Sequence, residues 1–345
     1  MSMLCSTSAI ITAIRKRYKE KRKLKEQNKQ KQKKRKEAKH MKTIKFGHSN
    51  LQVPEIGLGC MRITGLKTKE AVRALVETAM ENGVNFFDHA DIYAAGEAER
   101  IFGEAVEPSL REQIIIQTKC AIHPGISYDF SKEHILKSVD ASLKRLNTDY
   151  LDILLLHRPD TLMEPEEVAE AFEELERSGK VRYFGVSNQN SMQMELLNKY
   201  CEGRIMADQL QLSIAHCDIM ESGMNVNVHS PAGANRDGSV LEYCRLKEIT
   251  IQAWSPFQYG MFEGVFLENE KFPELNKRID ELAEKYGVTN NAIAVAWILR
   301  HPAKIQTIVG TTNKKRLAEI CRASDIKLTR EEWYSLYLAA GKMLP

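Results

Sequence analysis

The sequence contains no pair of cysteines separated by two residues, although seven cysteines are spread over its 345 positions. This absence excludes zinc-ribbon, thioredoxin-type and ferredoxin-type sites, and it predicts free thiols in a reducing cytoplasm. No stretch of about eighteen or more apolar residues occurs, so no membrane span is predicted. No G-x-G-x-x-G follows the first strand-like run either. "IGLGCMR" holds only a lone G-x-G, which is too weak for a dinucleotide-binding fingerprint.

The net charge of +4 averages two unlike regions. Residues 1–40 contain fifteen Lys or Arg and three acidic residues, which gives +12, so residues 41–345 carry −8. The basic run follows the apolar start "MLCSTSAIITAI", which is the wrong order for a secretory signal. We expect a basic, disordered extension, or an upstream reading frame before a natural start at Met41. Binding of residues 15–39 to nucleic acid, an anionic membrane or an import receptor is the alternative.

From residue 41 onward, apolar runs typical of β-strands alternate with amphipathic segments typical of helices. A hairpin is expected in "TIKFGHSNLQVPEIG". Eight strand-like runs follow: "IGLGC", "VNFFD", "IIIQTK", "LDILLLH", "VRYFGVSN", "IMADQL", "TIQAWS" and "IQTIVGT". Parallel strands need helical crossovers, so the pattern predicts an α/β fold with a parallel sheet. An open doubly wound sheet would also satisfy it, but the count of eight and the missing glycine fingerprint favour a (β/α)8 TIM barrel over residues 41–345.

Chemically capable side chains end six of these runs: Asp88, Lys119, His157, Asn188, Gln209 and Trp254. In a (β/α)8 barrel the carboxyl ends of all strands converge on one face, where the active sites of such enzymes lie. A single polar residue after a strand is usually a turn former or a helix cap. Six at successive strand ends are harder to explain in that way, so the pattern predicts a functional site at this face.

Four titratable residues suit proton transfer. Tyr93 lies in the loop after Asp88, and a phenol with an ordinary pKa of about 10 is a poor acid at neutral pH. The ammonium group of Lys119 is expected to stabilise the phenolate and lower that pKa, with Asp88 as the counterion of the lysine. His157 adds a neutral hydrogen-bond donor for a substrate oxygen. Together the four predict a proton donor directed at a carbonyl group.

Six blocks resemble the aldo-keto reductase superfamily in order, spacing and strand-end position, from about residue 43 to the C-terminus. They are "NFFDHADIY", "IIIQTK", "DYLDILLLHRPD", "GKVRYFGVSN", "IQAWSP" and "IVGTTNKKRLAE". "DHADIY", "HRPD" and "AWSPF" are similar to a bacterial subgroup of oxidoreductases. The resemblance implies an NADP-dependent enzyme that reduces an aldehyde or ketone to an alcohol, with Asp88, Tyr93, Lys119 and His157 as its catalytic tetrad. Tyr93 would protonate the carbonyl oxygen while NADPH delivers hydride to the carbon.

The same resemblance assigns the cofactor site, and it needs no glycine-rich unit. Ser187, Asn188 and Gln209 would hold the carboxamide, and Trp254, followed by Ser255, would stack on the nicotinamide. The last βα loop, a common phosphate site in barrels, supplies Gly310, Thr311, Thr312, Lys314 and Arg316. Arg and Lys form charge-assisted bonds to phosphate, and this segment holds no acidic residue. We therefore expect NADPH (NADP+) rather than NADH.

Two features depart from the family pattern. His89 stands where the family often has Ser or Thr, and it either packs away from the site or forms a second polar wall near the substrate. Residues 213–239 are longer than a usual βα loop, and we expect a substrate-side lid or a subunit contact. His216, Cys217 and His229 lie within this segment, but their spacing fits no standard zinc pattern, so no metal is expected.

A second function is compatible with the same barrel. The resemblance extends to potassium-channel β subunits, in which the cofactor is bound but turnover is secondary. The intact tetrad favours turnover, because a binding module has no need to keep Lys119 beside Tyr93. The expected partners are therefore a small-molecule carbonyl substrate and, if the basic tail has its own role, a polyanion.

Overall fold

The strand-like runs close into a barrel. The computed structural model describes residues 41–344, and within them eight parallel strands form a closed barrel. The barrel strands are β3 (Ile56–Gly59), β4 (Phe86–Asp88), β5 (Ile115–Cys120), β8 (Leu151–Leu156), β9 (Val181–Ser187), β10 (Ile205–Gln211), β11 (Thr250–Trp254) and β12 (Gln306–Val309). Their order around the barrel is β10–β11–β12–β3–β4–β5–β8–β9. Each predicted run coincides with one of them, so the predicted barrel is confirmed. The basic extension expected at residues 1–40 lies outside the described residues.

Two antiparallel hairpins accompany the barrel. β1 (Thr43–Lys45) pairs with β2 (Gln52–Pro54), where the sequence predicts a hairpin. β6 (Ile122–His123) pairs with β7 (Ser127–Tyr128), and this hairpin is not apparent from the sequence because each strand has only two residues. The second hairpin lies in the loop that leaves the carboxyl end of β5.

Helices connect the strands, and their ends carry recognisable sequence signals. They are α1 (Lys69–Glu81), α2 (Glu97–Ala105), α3 (Lys132–Leu146), α4 (Pro165–Arg177), α5 (Ser191–Tyr200), α6 (Asp218–Met224), α7 (Val240–Leu246), α8 (Pro273–Tyr286), α9 (Asn290–Leu299), α10 (Lys314–Cys321) and α11 (Arg330–Ala339). Asn190 and Gln193 form a capping box at the start of α5. Thr329 and Glu332 form another at the start of α11. In residues 41–344 no helix is long and apolar enough to span a membrane.

Three of these helices lie where the sequence pattern predicts none. α6 lies inside the long segment 213–239, α10 begins inside the expected phosphate-binding loop, and α11 follows the last strand of the barrel. The indoles of Trp297 on α9 and Trp333 on α11 stack with centroids 4.6 Å apart. Each indole N–H donates to the backbone carbonyl of the other residue, at 3.1 and 2.9 Å. These contacts fix α11 against the outer layer of the barrel.

The inside and the outside of the barrel wall are set by strand geometry. Successive side chains of a strand point to opposite sides, so residues two apart face the same side. On β5, Ile115, Gln117 and Lys119 face the interior, whereas Ile116 and Cys120 join the core outside the wall. Each strand therefore carries a row of inward side chains from one end of the barrel to the other.

An apolar plug fills the amino-terminal end of the barrel. Phe46, which follows β1, is fully buried, and its ring meets that of Tyr183 edge-on with centroids 6.2 Å apart. It clusters with inward side chains from five barrel strands: Phe86, Ile115, Ile153, Leu155, Ala207 and Ile308. There is no room for a side chain at Gly57, where a Cβ would lie 2.9 Å from the side chains of Phe86 and Ile308. The hairpin β1–β2 thus closes this end and leaves the carboxyl end for polar groups.

Candidate active site

A fully buried lysine lies at the carboxyl end of the barrel. The ammonium group of Lys119, the penultimate residue of β5, donates to both carboxylate oxygens of Asp88 at 2.7 and 2.8 Å and to the carbonyl oxygen of His89 at 2.7 Å. Its Nζ also lies 3.2 Å from the Tyr93 hydroxyl. Burial opposes the charge, but Asp88 and Tyr93 outweigh it, so the pKa of Lys119 is raised above its ordinary value. The lysine is therefore a cation held between a carboxylate and a phenol.

Asp88, the last residue of β4, is the acceptor at the centre of this group. Besides the lysine, its Oδ1 accepts from the side-chain amides of Gln117 at 2.6 Å and Gln209 at 3.1 Å. A buried ion pair is tolerated only when its remaining polar atoms are hydrogen-bonded, and loss of one partner costs about 3–5 kcal/mol. The glutamines supply those extra bonds, which makes the pair geometrically rigid.

Tyr93 lies in the short loop after β4, and its hydroxyl reaches the Lys119 ammonium group. Ala94 and Ala95 follow it with φ of 50° and 54°, and Gly96 follows with φ of 88°. Non-glycine residues in this left-handed region cost about 1–3 kcal/mol each, and such strain is often found at functional sites. Burial raises the pKa of Tyr93, although Lys119 opposes that rise. The expectation of a lowered pKa is therefore wrong for the protein alone, because loss of solvent outweighs the ammonium group.

His157 completes the set at the end of β8. Its ring lies edge-on to that of Tyr93, with centroids 5.9 Å apart and an interplanar angle of 81°. Burial, reinforced by Lys119 and Arg158, lowers the pKa of His157 well below its ordinary value. The imidazole is therefore neutral at physiological pH and can donate one N–H. The four residues predicted as the tetrad, Asp88, Tyr93, Lys119 and His157, thus lie together.

A layer of glutamines lies beneath the tetrad, and sequence reasoning missed most of it. Gln117 and Gln252 exchange two amide hydrogen bonds, at 2.9 and 3.0 Å, and Gln252 donates to Gln306 at 2.8 Å. Gln306 in turn donates to the carbonyl oxygen of Pro54 at 2.7 Å. The sequence signal for this layer is a glutamine inside each of three mainly apolar runs, "IIIQTK", "TIQAWS" and "IQTIVGT". Hydrogen bonds of this layer therefore extend from the backbone carbonyl of Pro54 to the Asp88 carboxylate.

The residues assigned to the carboxamide and the ring form a second group on the same face. The Ser187 hydroxyl donates to the backbone carbonyl of Gln209 at 2.9 Å, and the Asn188 amide donates to Ser187 at 2.8 Å. The Trp254 indole N–H donates to Asn188 Oδ1 at 3.2 Å. Asn188 and Ser255 both have positive φ, 57° and 51°, directly after their strands. The chain turns sharply here and presents a flat indole beside hydrogen-bonding groups.

The loop after β12 carries the predicted phosphate-binding residues. Thr311 is buried and accepts from the backbone N–H of Asn313, while Thr312 is half-buried and Gly310 is exposed. Lys314 and Arg316 are exposed at the start of α10, and within residues 41–344 neither side chain has an ion-pair partner. Two cations near a helix N-terminus provide a favourable environment for an anion.

The His89 side chain packs away from the site and does not form a second polar wall near the substrate. Its ring is fully buried and meets Phe102 of α2 with centroids 4.4 Å apart. Burial and the charge of Lys119 lower its pKa to about 3. Of the two alternatives left open by the sequence, packing is therefore the one observed. Nearby, the loop acid Asp91 lies outside the Asp88–Lys119 ion pair, and burial and Glu99 raise its pKa to about 7.

The long segment 213–239 folds back on neighbouring loops. Ser213 donates to the carbonyl oxygen of Gln258 at 2.6 Å, and Glu221 of α6 pairs with Lys342 at 3.1 Å. Cys217 is buried, and its thiol lies 3.7 Å from the carbonyl oxygen of Ile214. The segment is thus tied to the loop after β11 and to the C-terminal region. Its expected role as a lid or a subunit contact stays a prediction.

Comparisons with known proteins point to one family. A family model described as "Aldo/keto reductase family" matches residues 55–337. The uncharacterised oxidoreductase YcsN of Bacillus subtilis is 36% identical over 304 residues, covering 84% of this chain and 95% of that protein. A 6-dehydroglucose reductase of Novosphingobium aromaticivorans is 33% identical, covering 87% of this chain and 96% of that protein.

Solved structures show the same similarity. The thermostable aldo-keto reductase Tm1743, in complex with the inhibitor epalrestat, has a TM-score of 0.70 at 28% identity and covers 87% of this chain and 100% of its own. An aldo-keto reductase from Klebsiella pneumoniae in complex with NADPH has a TM-score of 0.70 at 26% identity and covers 89% and 98% of the two chains. The chain therefore belongs to the aldo/keto reductase family of oxidoreductases, as its sequence motifs predicted.

Proposed function

We propose that this protein reduces an aldehyde or ketone to an alcohol with NADPH, and that Tyr93 donates the proton to the carbonyl oxygen. The observation that carries the proposal is the position of the Lys119 ammonium, which lies within hydrogen-bonding distance of both the Asp88 carboxylate and the Tyr93 hydroxyl. A buried cation beside a phenol favours the phenolate that proton donation leaves behind.

The residues present fit the cofactor. Trp254 offers a flat aromatic face, Asn188 an amide, and Lys314 and Arg316 two exposed cations for a 2′-phosphate. The NADPH complex of the similar Klebsiella pneumoniae protein supports the same cofactor here. When bound, NADPH supplies the hydride that adds to the carbonyl carbon. The proton and the hydrogen bonds to the substrate are assigned to side chains of this chain.

Proton donation follows from the protonation states of the site. Burial raises the pKa of Tyr93, so the phenol holds its proton at neutral pH before the reaction. As negative charge develops on the carbonyl oxygen, the proton moves from Tyr93 to that oxygen. The phenolate formed is stabilised by Lys119 at 3.2 Å, and Asp88 keeps the ammonium in place. The lysine thus acts on the product of proton transfer more than on the resting phenol.

His157 is proposed to orient the substrate rather than to transfer a proton. Its lowered pKa keeps the imidazole neutral, so it donates a hydrogen bond to the carbonyl oxygen without competing with Tyr93 as the acid. The edge-on contact between the Tyr93 and His157 rings supports this role, because it brings the two proposed donors close together. Two donors on one oxygen would fix the direction of the carbonyl group.

A panel of carbonyl compounds tests the proposed reaction, with NADPH oxidation followed by absorbance at saturating cofactor. Relatives from Novosphingobium aromaticivorans and Agrobacterium fabrum are named 6-dehydroglucose reductases, so 6-dehydroglucose and simple aldehydes belong in the panel. We expect turnover of at least one member and none by a Tyr93→Phe control. Cofactor binding without turnover of any member would instead favour a regulatory subunit. A potassium-channel subunit beta named as putative in Schizosaccharomyces pombe is a 27% identical relative.

A further inference from the structure

Two histidines and an aspartate converge in the loop that follows β5, outside the group around Lys119. His123 ends β6, Asp129 follows β7, and His134 lies in the first turn of α3. His123 Nε2 lies 3.1 Å from Asp129 Oδ2, and His134 Nδ1 lies 3.9 Å from the same oxygen. One ligand atom from each side chain lies within 4.8 Å of the other two. All three side chains are partly accessible to solvent.

These separations match the coordination of a small divalent ion. In tetrahedral zinc sites, bonds of about 2.0–2.1 Å to nitrogen and oxygen place neighbouring ligand atoms about 3.3–3.4 Å apart. The two distances to Asp129 Oδ2 lie on either side of that value, and all three ligand atoms lie within 4.8 Å of one another, so side-chain rotations would bring them onto one ion. Two imidazoles and one carboxylate are a ligand set that zinc accepts, with the fourth position left to water.

Outer hydrogen bonds orient the ligand atoms toward each other. The backbone N–H of Ser131 donates to Asp129 Oδ1 at 2.9 Å, which leaves Oδ2 for the two histidines. Ser138 Oγ lies 3.3 Å from His134 Nε2, which leaves Nδ1 facing the aspartate. Metal-binding histidines usually have such a partner on the second ring nitrogen, and its loss weakens the site. The two serines come from the start and the first turns of α3.

The charges also suit a cation. The imidazole rings of His123 and His134 lie with centroids 4.3 Å apart, so two protonated rings would repel each other. An ion bound by one nitrogen of each ring and by the Asp129 carboxylate, which both histidines face, would replace that repulsion with attraction.

We propose that His123, Asp129 and His134 form a binding site for a divalent transition-metal ion such as Zn²⁺. Imidazole ligands suit zinc, copper and nickel, whereas Mg²⁺ and Ca²⁺ prefer oxygen ligands alone. The ion would join the β6–β7 hairpin to α3. The backbone N–H of Phe130, next to Asp129, donates to Asp160 Oδ2 at 3.0 Å in the loop after His157. Zn²⁺ would therefore fix the loops that follow β5 and β8 at the carboxyl end of the barrel.

Direct titration with ZnCl₂ tests the site, using the full chain without an affinity tag and isothermal titration calorimetry. We expect one Zn²⁺ per chain, and at least about tenfold weaker binding in His123→Ala and Asp129→Asn, since even outer-shell losses weaken metal sites by about 10–100-fold. Ser138→Ala should weaken binding by about tenfold for that reason. His229→Ala is the matched control, because its exposed histidine lies in the segment 213–239 and outside the cluster. It should bind Zn²⁺ as the parent does.

Two outcomes would overturn the site. The first is unchanged Zn²⁺ affinity in His123→Ala and Asp129→Asn when both variants keep the metal-free melting temperature of the parent. The second concerns X-ray absorption of the zinc-loaded parent, where we expect only nitrogen and oxygen neighbours at about 2.0–2.2 Å, including imidazole scattering. A sulfur neighbour at about 2.3 Å would place the ion on a cysteine instead. Neither measurement depends on carbonyl reduction, so the metal site and the proposed function can fail separately.

Discussion

The two ends of the barrel interior are formed by the same strands, but apolar side chains fill one end and charged side chains lie at the other. At the amino-terminal end, Phe46, Phe86 and Ile153 form an apolar plug. Two residues after Phe86 on β4 and four residues after Ile115 on β5, the interior holds the Asp88–Lys119 ion pair. Apolar burial stabilises the fold, whereas buried charges cost free energy unless they are fully paired. One end therefore stabilises the barrel, and the other uses part of that stability to hold reactive groups.

The glutamine layer separates the two ends. A continuous chain of side-chain hydrogen bonds runs from the Pro54 carbonyl through Gln306, Gln252 and Gln117 to Asp88. A fully satisfied polar network is rigid, whereas a partly satisfied one is costly. The layer thus allows a carboxylate to lie close to an apolar plug without an unpaired polar atom between them.

The largest effect is expected from removing the charge at the carboxyl end. Lys119→Met leaves Asp88 without its cation and Tyr93 without the group that stabilises its phenolate. We expect kcat to fall by about 10²–10⁴-fold, the usual contribution of acid catalysis, and stability to fall by about 3–5 kcal/mol. Steady-state kinetics and urea unfolding measure the two effects.

The double variant Asp88→Asn/Lys119→Met separates charge from packing. It should recover most of the lost stability and stay inactive, because a neutral pair needs no counterion. If the double variant is no more stable than Lys119→Met, the loss in the single variant arises from packing and not from the unpaired carboxylate.

At the other end, Phe46→Ala should produce the opposite profile. Deleting a buried aromatic ring costs about 3–5 kcal/mol through lost transfer free energy and the cavity left behind. The ring lies in the plug, whereas Tyr93 packs against the other apolar cluster, so kcat and KM of the folded enzyme should stay within about twofold of the parent. Urea unfolding combined with kinetics well below the unfolding midpoint checks this. A large loss of kcat would show that the two ends are coupled.

A smaller effect is expected at the outer rim of the polar end. Arg316→Ala should weaken NADPH binding by about tenfold to a hundredfold, as for a lost charge-assisted hydrogen bond of about 1.5–3 kcal/mol, and should leave NADH binding nearly unchanged. Fluorescence titration with both cofactors measures the difference, and Lys315→Ala, one position away and exposed, is the control. Equal weakening for both cofactors would move the 2′-phosphate site elsewhere.

Between the two ends, Gln117→Met removes one donor to Asp88 and both bonds to Gln252. Because a buried polar group left without its partner costs about 1–3 kcal/mol, we expect a loss of stability in that range and a moderate fall in kcat with little change in KM. Gln117→Glu keeps the acceptor but adds a second carboxylate beside Asp88, so it should be worse than Met. If Gln117→Met has the stability of the parent, the layer has no role in holding Asp88.

The smallest effect on activity is expected at His89, where the pH dependence of stability should change. Its folded pKa of about 3 lies below the ordinary 6.5, so as the pH falls from 6.5 the unfolded chain takes up a proton that the folded chain excludes. The free energy of unfolding therefore decreases with falling pH, by up to about 1.4 kcal/mol per pH unit from this group. His89→Leu should show a shallower decrease in urea unfolding between pH 7 and pH 5. Parallel curves for parent and variant would contradict this assignment.

The barrel was readable from the sequence because parallel strands need regularly spaced crossovers, and because strand ends share one face whatever their distance along the chain. Asp88, Lys119 and His157 follow from that rule alone. The direction of the Tyr93 pKa does not, because it depends on how much solvent the folded site excludes. Likewise, His123, Asp129 and His134 come from three elements with no motif spacing, so only the fold brings them together.

The central claim is that Tyr93, held at the charged end of the barrel, is the proton donor. Single-turnover reduction by Tyr93→Phe with NADPH already bound tests it most directly, because binding and chemistry are then measured apart. We predict an NADPH affinity within about twofold of the parent and a reduction rate lower by about 10²-fold or more. A variant that binds NADPH normally and reduces the carbonyl at close to the parent rate would contradict the account.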